Sequence, residues 1–450
     1  MQDYSLKTLL ILTHYFPPEN VVGALRPFRL ARHLGRNGWR CVVLTRKPEN
    51  QHIRDFSLVG KLPPGTEIHY TSGECYTIPK AGERSVASIF RPAAKDVSSE
   101  TSVESRVWAR ALGNTRDIVN RFALPDIEIR QVPKFIRRAE SLIRYNPDCM
   151  LLTTSPPHSI HVAGLILSKR FGVPWVVDYR DPWDDYVRTG KPDLRNPLGK
   201  WLSRRILKQA SVVVSTTETN TSNLVTGNAD LPAGRFHTVT NSYNKQDVAV
   251  EGSATRNVFT VGYTGIFYPN KDPFTFFRAL RTWFDDMDDT RLRLLNGRFR
   301  IKLVGSRTKA VVDVIQSLGL SSWVSFVPRV SHEEAIRITK GCDLLLIAAG
   351  IGKRTRPGWL TSKLFEYLGC KIPILAVVRE GEMARIIRQT NSGYVVTGED
   401  HQAIINVLET EMERKLKGGV PPFTYEGVGV FEETAVFNGM KEILERGIAL

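Results

Sequence analysis

A chain that alternates strand, helix and strand over a few dozen residues has few folds open to it. An apolar run from Lys7 to Thr13 leads into the loop His14-Tyr15-Phe16-Pro17-Pro18-Glu19-Asn20. Gly23 follows, then a helical pattern from Leu25 to Leu34, then Gly38 and a second apolar run, Cys41 to Thr45. This is a βαβ unit. Its two strands are parallel, and a parallel sheet needs helices on both faces. The loop after the first run does not read GxGxxG, so the dinucleotide fingerprint is absent.

The alternation resumes at Pro147 and predicts strands at Cys149–Thr154, Pro174–Val177, Ser211–Ser215 and Phe236–Thr240. A polar, unpatterned stretch from Asn244 to Asn257 reads as a linker. A second series then predicts strands at Val258–Tyr263, Arg300–Val304, Val324–Val327, Asp343–Ile347 and Ile374–Val378. Between the last two lies a short helix from Leu360 to Leu368. Leu360, Leu364, Tyr367 and Leu368 form its apolar face, and Gly369 is its expected stop. The expected architecture is α/β: two doubly wound, Rossmann-like domains facing a cleft. The domains are residues 1–245 and 246–428, with a mobile basic insertion at about 80–145 and a C-terminal helix, 429–450, crossing back to the first domain. A length of 450 residues suits two cores better than one.

Composition enters through charge. A net charge of +16 points to an anionic partner. Arg106, Arg110, Arg116 and Arg121, then Lys134, Arg137, Arg138 and Arg144, interleave with apolar residues. They predict basic amphipathic helices at about 106–144 resting on an anionic membrane surface. No nucleic-acid-binding motif accompanies them, so a nucleic-acid partner is not expected. No apolar run approaches the roughly 20 residues of a membrane span, and no export signal is read at Leu9–Leu12. The five cysteines show no CxxC or His/Cys spacing, which fits reduced thiols without structural zinc.

In doubly wound sheets, ligands sit outside the carboxyl ends of the strands. The candidate residues therefore lie in the loops there. In the first half these loops supply His158 after Ser155-Pro156-Pro157, and Asp178, Arg180 and Asp181 in one charged turn. In the second half they supply Gly265, Lys271 and Arg329. The Gly-rich segment 350–358 adds Arg354 and Arg356 just before a helix N-terminus. Free N–H groups, cations and a helix dipole together favour a phosphate, although the segment is no P-loop. Asp286-Met287-Asp288 is a DxD string inside an acidic loop and reads as solvated.

Five pieces occur in order through both halves. They are His14-Tyr15-Phe16-Pro17-Pro18 through Gly23, Thr154-Ser155-Pro156-Pro157-His158-Ser159, Asp178-Tyr179-Arg180-Asp181-Pro182-Trp183, Val261-Gly262-Tyr263-Thr264-Gly265 and Ser362-Lys363-Leu364-Phe365-Glu366-Tyr367-Leu368. As a set they resemble the GT-B glycosyltransferases of the large retaining family four, which build bacterial polysaccharides and lipid-linked glycans. The resemblance implies a nucleotide-diphosphate sugar, UDP-sugar favoured, bound by the second half. Glu366 would take the ribose hydroxyls. Ser362, Lys363 and Lys271 would lie by the diphosphate, with Gly23 beneath the donor phosphates. The Asp178–Asp181 loop would face the sugar and acceptor, with Asp178, Arg180, Asp181 and His158 as the catalytic candidates. It implies transfer with retention, no cofactor and no metal, and a lipid-linked or polysaccharide acceptor. The expected location is cytoplasmic, at the inner face of the membrane. The chain departs from the family at two points. Gly358 stands where many members carry a glutamate, eight positions before Glu366, and Ile266 where an arginine is usual. Two other readings stand beside this one: another GT-B enzyme such as a nucleotide-sugar epimerase, or a non-catalytic binding protein on a degenerate scaffold.

Overall fold

The structure is a computed structural model that describes residues 7–48, 54–79, 123–183, 196–252, 257–267, 274–349 and 358–448. The chain forms two compact units. The first comprises Met1–Thr216, Thr221–Val239 and Phe437–Leu450; the second comprises Thr217–Asn220 and Thr240–Val436.

The first unit holds an eight-stranded sheet in the order β4-β3-β2-β1-β5-β6-β7-β8. The strands are β1 (Thr8–Thr13), β2 (Arg40–Thr45), β3 (Glu67–Tyr70), β4 (Cys75–Thr77), β5 (Met150–Ser155), β6 (Trp175–Tyr179), β7 (Val212–Ser215) and β8 (Phe236–Thr238). All neighbours are parallel except β3 and β4. The order reverses between β1 and β5, where Leu12 lies opposite Thr153. Chain direction on either side diverges there and leaves a crevice at the strand ends.

The Val132–Tyr145 helix belongs to this unit's core. Its Val132, Phe135, Ala139, Leu142 and Ile143 share one face and are buried against the sheet. The expected insertion is therefore corrected: from 123 to 145 the chain is integral to the fold. Residues 80–122, with Arg106, Arg110, Arg116 and Arg121, lie outside the described residues. For the Val132–Tyr145 helix the same packing corrects the amphipathic reading, because its apolar face is covered by strands. In the Glu433–Ile448 helix, Asn438 Oδ1 lies 3.0 Å from His33 Nε2, and Glu445 accepts from Lys7 at 2.9 Å.

The second unit holds a wholly parallel sheet in the order β11-β10-β9-β12-β13-β14. Its strands are β9 (Phe259–Thr264), β10 (Phe299–Val304), β11 (Val324–Val327), β12 (Leu344–Ala349), β13 (Ile374–Val378) and β14 (Gly393–Thr397). Phe276, Phe277, Leu280, Trp283 and Phe284 of the Phe274–Asp285 helix cover one face. Leu364, Phe365, Tyr367 and Leu368 of the Ser362–Cys370 helix cover the other. This helix runs through Gly369 and ends on Lys371, whose φ of 54° is left-handed. Gly369 is thus no stop. A Cβ there would come 2.5 Å from the Tyr243 ring, so the glycine permits close packing. Asp288 caps the Asp289–Leu295 helix through the Arg291 N–H at 2.8 Å.

Candidate functional site

The second unit gathers polar groups at the carboxyl ends of β9, β10 and β11. Beyond β9 the chain turns on Gly265, whose φ is +110°. Lys363, second in the Ser362–Cys370 helix, reaches back over this turn. A Cβ on Gly265 would lie 2.6 Å from Lys363 Cε and 2.8 Å from Nζ, so only glycine lets the ammonium settle there. The same Nζ sits 5.2 Å from the centre of the Tyr263 ring. Ser306, beyond β10, donates its hydroxyl to the Gly265 carbonyl. The N-cap of the helix is Thr361, whose side chain makes no capping hydrogen bond. Its N–H groups and the Lys363 ammonium together form a positive end suited to phosphate.

Glu366 lies one turn further on and is half-buried. Its Oε1 is 3.0 Å from Nε2 of His332, the first residue of the His332–Lys340 helix. Sequence spacing suggests Lys363 as its partner; the fold brings up His332, distant in sequence. Tyr367, fully buried, anchors the assembly. Its hydroxyl accepts from the Thr264 N–H at 3.0 Å and lies 3.2 Å from Thr264 Oγ1. Burial pushes its phenol well above the ordinary range. The geometry is a carboxylate with one oxygen held, a lysine over a bare glycine turn, and an open helix N-terminus.

Arg329 is exposed beyond β11, and Ser362 is half-buried at the helix start. Lys271, Arg354 and Arg356 lie outside the described residues. Gly358 is walled in. A Cβ there would come 2.6 Å from Asn220 Oδ1 and 2.9 Å from Thr219 Cβ, and Asn220 Nδ2 also donates to the Gly358 carbonyl at 3.3 Å. The departure from glutamate at this position is thus built into the packing. Ile266 is exposed, and its carbonyl accepts from Tyr263 at 3.1 Å.

In the first unit the charged turn after β6 has a different character. Asp178 is 2% exposed. Arg26 Nε donates to its Oδ2 and Nη2 to its Oδ1, both at 2.9 Å, and Thr154 Oγ1 adds a bond at 2.7 Å. Arg180 donates from Nε to the Ser155 carbonyl at 2.6 Å, from Nη2 to Pro156 at 2.7 Å, and from Nη1 to Gly23. These two side chains stitch together the loops after β1, β5 and β6. Both side chains thus serve the scaffold, Asp178 through Arg26 and Thr154, and Arg180 through three of its five N–H groups. Gly23 is part of the stitching. A Cβ there would crowd Tyr15 at 3.1 Å and Arg180 at 3.3 Å. Asp181 is exposed.

His158 Nδ1 is 2.9 Å from Ser155 Oγ, and its ring lies 5.1 Å from that of Trp183. Two further histidines share the strand ends. His161 is fully buried, with Nδ1 2.8 Å from Thr153 Oγ1. His14, 1% exposed, has no hydrogen-bond partner among the described residues on either ring nitrogen; Glu128 Oε2 is 3.9 Å from its Nε2. Burial lowers the His14 pKa to about 4 and drives His161 well below the usual value. Sequence reading names neither as a site residue, although each falls just beyond or beside a strand end. It likewise misses Arg26 and His332, whose partners are distant in sequence.

One group of mixed ligands converges among the described residues: Glu67, His69 and Cys75 on β3 and β4. His69 Nε2 is 3.0 Å from Glu67 Oε2, while its Nδ1 is 3.1 Å from Arg138 Nη2. Arginine only donates, so Nδ1 accepts and the ring proton sits on Nε2. That nitrogen faces Glu67 as a donor and offers no lone pair to a metal.

Residues 24–242 match the glycosyl transferase 4-like domain. That stretch, just under half of the chain, carries a glycosyltransferase-type domain. No curated protein matches it in sequence. Among solved structures, the fold is similar to sucrose-phosphate synthase from Thermosynechococcus elongatus, at 13% identity and a TM-score of 0.63, covering 98% of this chain and 99% of that one. It is equally similar to Anabaena HepE in complex with UDP and glucose, at 15% identity and a TM-score of 0.63, covering 98% and 100%. UDP-GlcNAc 2-epimerase from Methanocaldococcus jannaschii follows at 11% identity and a TM-score of 0.53, covering 98% and 99%. At such identities the likeness speaks for the fold. No helix among the described residues is long and apolar enough to cross a membrane.

Proposed function

We propose that this glycosyltransferase moves a sugar from a UDP-sugar to a lipid-linked or polysaccharide acceptor, with retention of anomeric configuration and without a metal, at the cytoplasmic face of the cell membrane. The observation that carries the reading is the Glu366–His332 pair beside Lys363 and the Gly265 turn. A half-buried carboxylate oriented by His332 is placed to meet ribose hydroxyls. An ammonium and an uncapped helix N-terminus lie where a diphosphate would sit. UDP is favoured because HepE, of like fold, is seen with UDP and with UDP-glucose.

In this reading the bond from the anomeric carbon to the diphosphate oxygen breaks as the acceptor hydroxyl attacks from the same face, and the hydroxyl proton passes to the departing diphosphate. Negative charge grows on the departing diphosphate. Lys363 and the first-turn N–H groups stabilise it, and because they are fixed before reaction, no reorganisation is required in the transition state. Lys271, Arg354 and Arg356 are proposed as further cations around the leaving group. Asp181 and His158 remain the candidates to meet the acceptor. The wall at Gly358 favours a second reading, nucleotide-sugar epimerisation, because the sugar side differs from the usual pattern.

The test is a thermal-shift panel of UDP, GDP and ADP, followed by turnover of UDP-sugars with and without lipid-linked acceptor. NMR of the product reads the anomeric configuration, and a chelator arm reads metal dependence. Stabilisation by UDP together with acceptor-dependent turnover is expected. Epimer formed without acceptor would move the assignment to the second reading. A folded protein that neither binds nor turns over any nucleotide sugar would sink both.

A further inference from the structure

The Asn196–Gln209 helix buries Ile206 and Leu207 in the core of the first unit. Its outer face is unusual for a surface helix. Leu198 is 57% exposed and Trp201 53%. No other tryptophan among the described residues is exposed. Around these two lie the exposed cations Lys200, Arg204, Arg205 and Lys208. The Arg205 guanidinium lies 4.9 Å from the centre of the Trp201 ring. One carboxylate intrudes: Asp230 is 2.8 Å from Arg204 and 3.9 Å from Lys208. Among the described residues, no carboxylate is within ion-pair distance of Lys200 or Arg205.

The same layer continues this character. The Ile160–Phe171 helix packs beside it against the same side of the sheet and exposes Ile166, Lys169 and Arg170. Beyond it, the Val132–Tyr145 helix exposes Lys134, Arg137 and Arg144. An apolar groove of about 500 Å³ lies between those two helices, lined by Ile129, Val132, Ile136 and Ile166. Glu140 is the acid of this part of the layer and is paired with Arg170.

We propose that this face docks on an anionic lipid bilayer, with Trp201 and Leu198 entering the headgroup region and the cations meeting lipid phosphates. The proposal deepens the reading of a membrane-borne acceptor, and moves the contact from the apolar face of the Val132–Tyr145 helix to the Asn196–Gln209 helix. Three features select a bilayer over other partners. An indole beside a guanidinium suits the polar-apolar boundary of a membrane, where one end of the ring is wet. Leucine and tryptophan exposed among cations match the signature of an interfacial helix. The layer's charge complements the negative surface of acidic lipid, worth roughly a fivefold change in binding for each basic residue near the surface.

The experiment is co-sedimentation of the full chain with vesicles of phosphatidylcholine alone or mixed with phosphatidylglycerol. Binding to the mixed vesicles, weakened by salt, is expected. Lys200→Ser with Arg205→Ser should lower it by roughly 25-fold, two cations at fivefold each. Leu198→Ser with Trp201→Ser should lower it by at least tenfold at unchanged charge. Arg291→Ser with Arg293→Ser, exposed cations of the second unit, should change it little. All three pairs lie at the surface and should melt with the parent protein. Wild-type binding to neutral vesicles as strong as to acidic ones would overturn the proposal. So would helix variants that bind like wild type, although a membrane-borne acceptor would then survive. Loss in those variants of single-stranded RNA binding, with vesicle binding intact, would assign the face to nucleic acid instead. Absence of UDP-sugar turnover would defeat the transferase reading while leaving the vesicle results to stand.

Discussion

Both units place a carboxylate beside a cation at the carboxyl end of a parallel sheet, and they use the pair in opposite ways. In the first unit, Asp178 and Arg26 are 2% and 6% exposed, and Thr154 completes the carboxylate's bonding. Arg180 beside them is held by three carbonyls. In the second unit, Glu366 is half-buried with one oxygen on His332, and Lys363 sits over a glycine turn. A charge network that closes on itself holds loops in place. One that stays partly exposed can still meet a ligand.

The largest test of this contrast is Arg26→Ala. It strands the Asp178 carboxylate without its ion pair in a buried site and should cost about 3–5 kcal/mol in denaturant unfolding. Replacing both residues by leucine should recover much of that loss. If Arg26→Ala kept full stability and lost only turnover, the pair would be functional and the contrast would fail.

Acid should strike the first unit next. The unfolded His14 takes a proton near pH 6.5, whereas in the fold burial defers it to about 4. Between those values the unfolded chain binds more protons, so stability is full above pH 6.5 and falls as pH drops toward 4. The loss is about 3 kcal/mol for this residue. The fully buried His161 pushes in the same direction. Melting curves of His14→Gln against wild type over this window should show the smaller acid loss in the variant. Parallel curves would remove His14 as a cause.

In the second unit the effect should be on binding. Glu366→Ala should weaken UDP by roughly 10- to 100-fold, the scale of about 1.5–3 kcal/mol for bonds to a charged group, with little change in melting temperature. Calorimetric titration reads the affinity, and equal affinity in the variant would remove the ribose role. Smallest is His332→Ala, which frees Glu366 without deleting it. A loss of roughly fivefold in UDP affinity is expected, near 1 kcal/mol for one hydrogen bond, with kcat nearly unchanged. A drop in kcat alone would contradict a positioning role.

Much of the framework was legible because long apolar runs at strand period, broken by glycine and proline, leave little choice of element. The strands that escaped are β3, β4 and β14, all at or next to a sheet edge. Residues of β4 alternate in exposure, and those of β14 are mostly half-buried, so neither reads as an apolar run. Arg26, Arg29 and Arg32 defeat periodicity differently: all three are buried within a helix whose pattern assigns arginine to solvent. The Val132–Tyr145 helix shows the converse. Its amphipathic pattern was correct, but a pattern cannot say whether the apolar face meets lipid or the protein's own sheet.

The sequence by itself therefore determined the layers and the strand-end loops, since both follow from local periodicity and chain direction. It also singled out Glu366, Lys363 and Gly265, because motif order ties them to those loops. Only the tertiary structure decided what each charge is for. Asp178 became scaffold because Arg26, far away in sequence, reaches it in a place water does not. Glu366 stayed half-buried, held at its edge by His332 from a distant helix. Pairing and burial are properties of three-dimensional neighbours, and they separate a structural charge from one poised for a ligand.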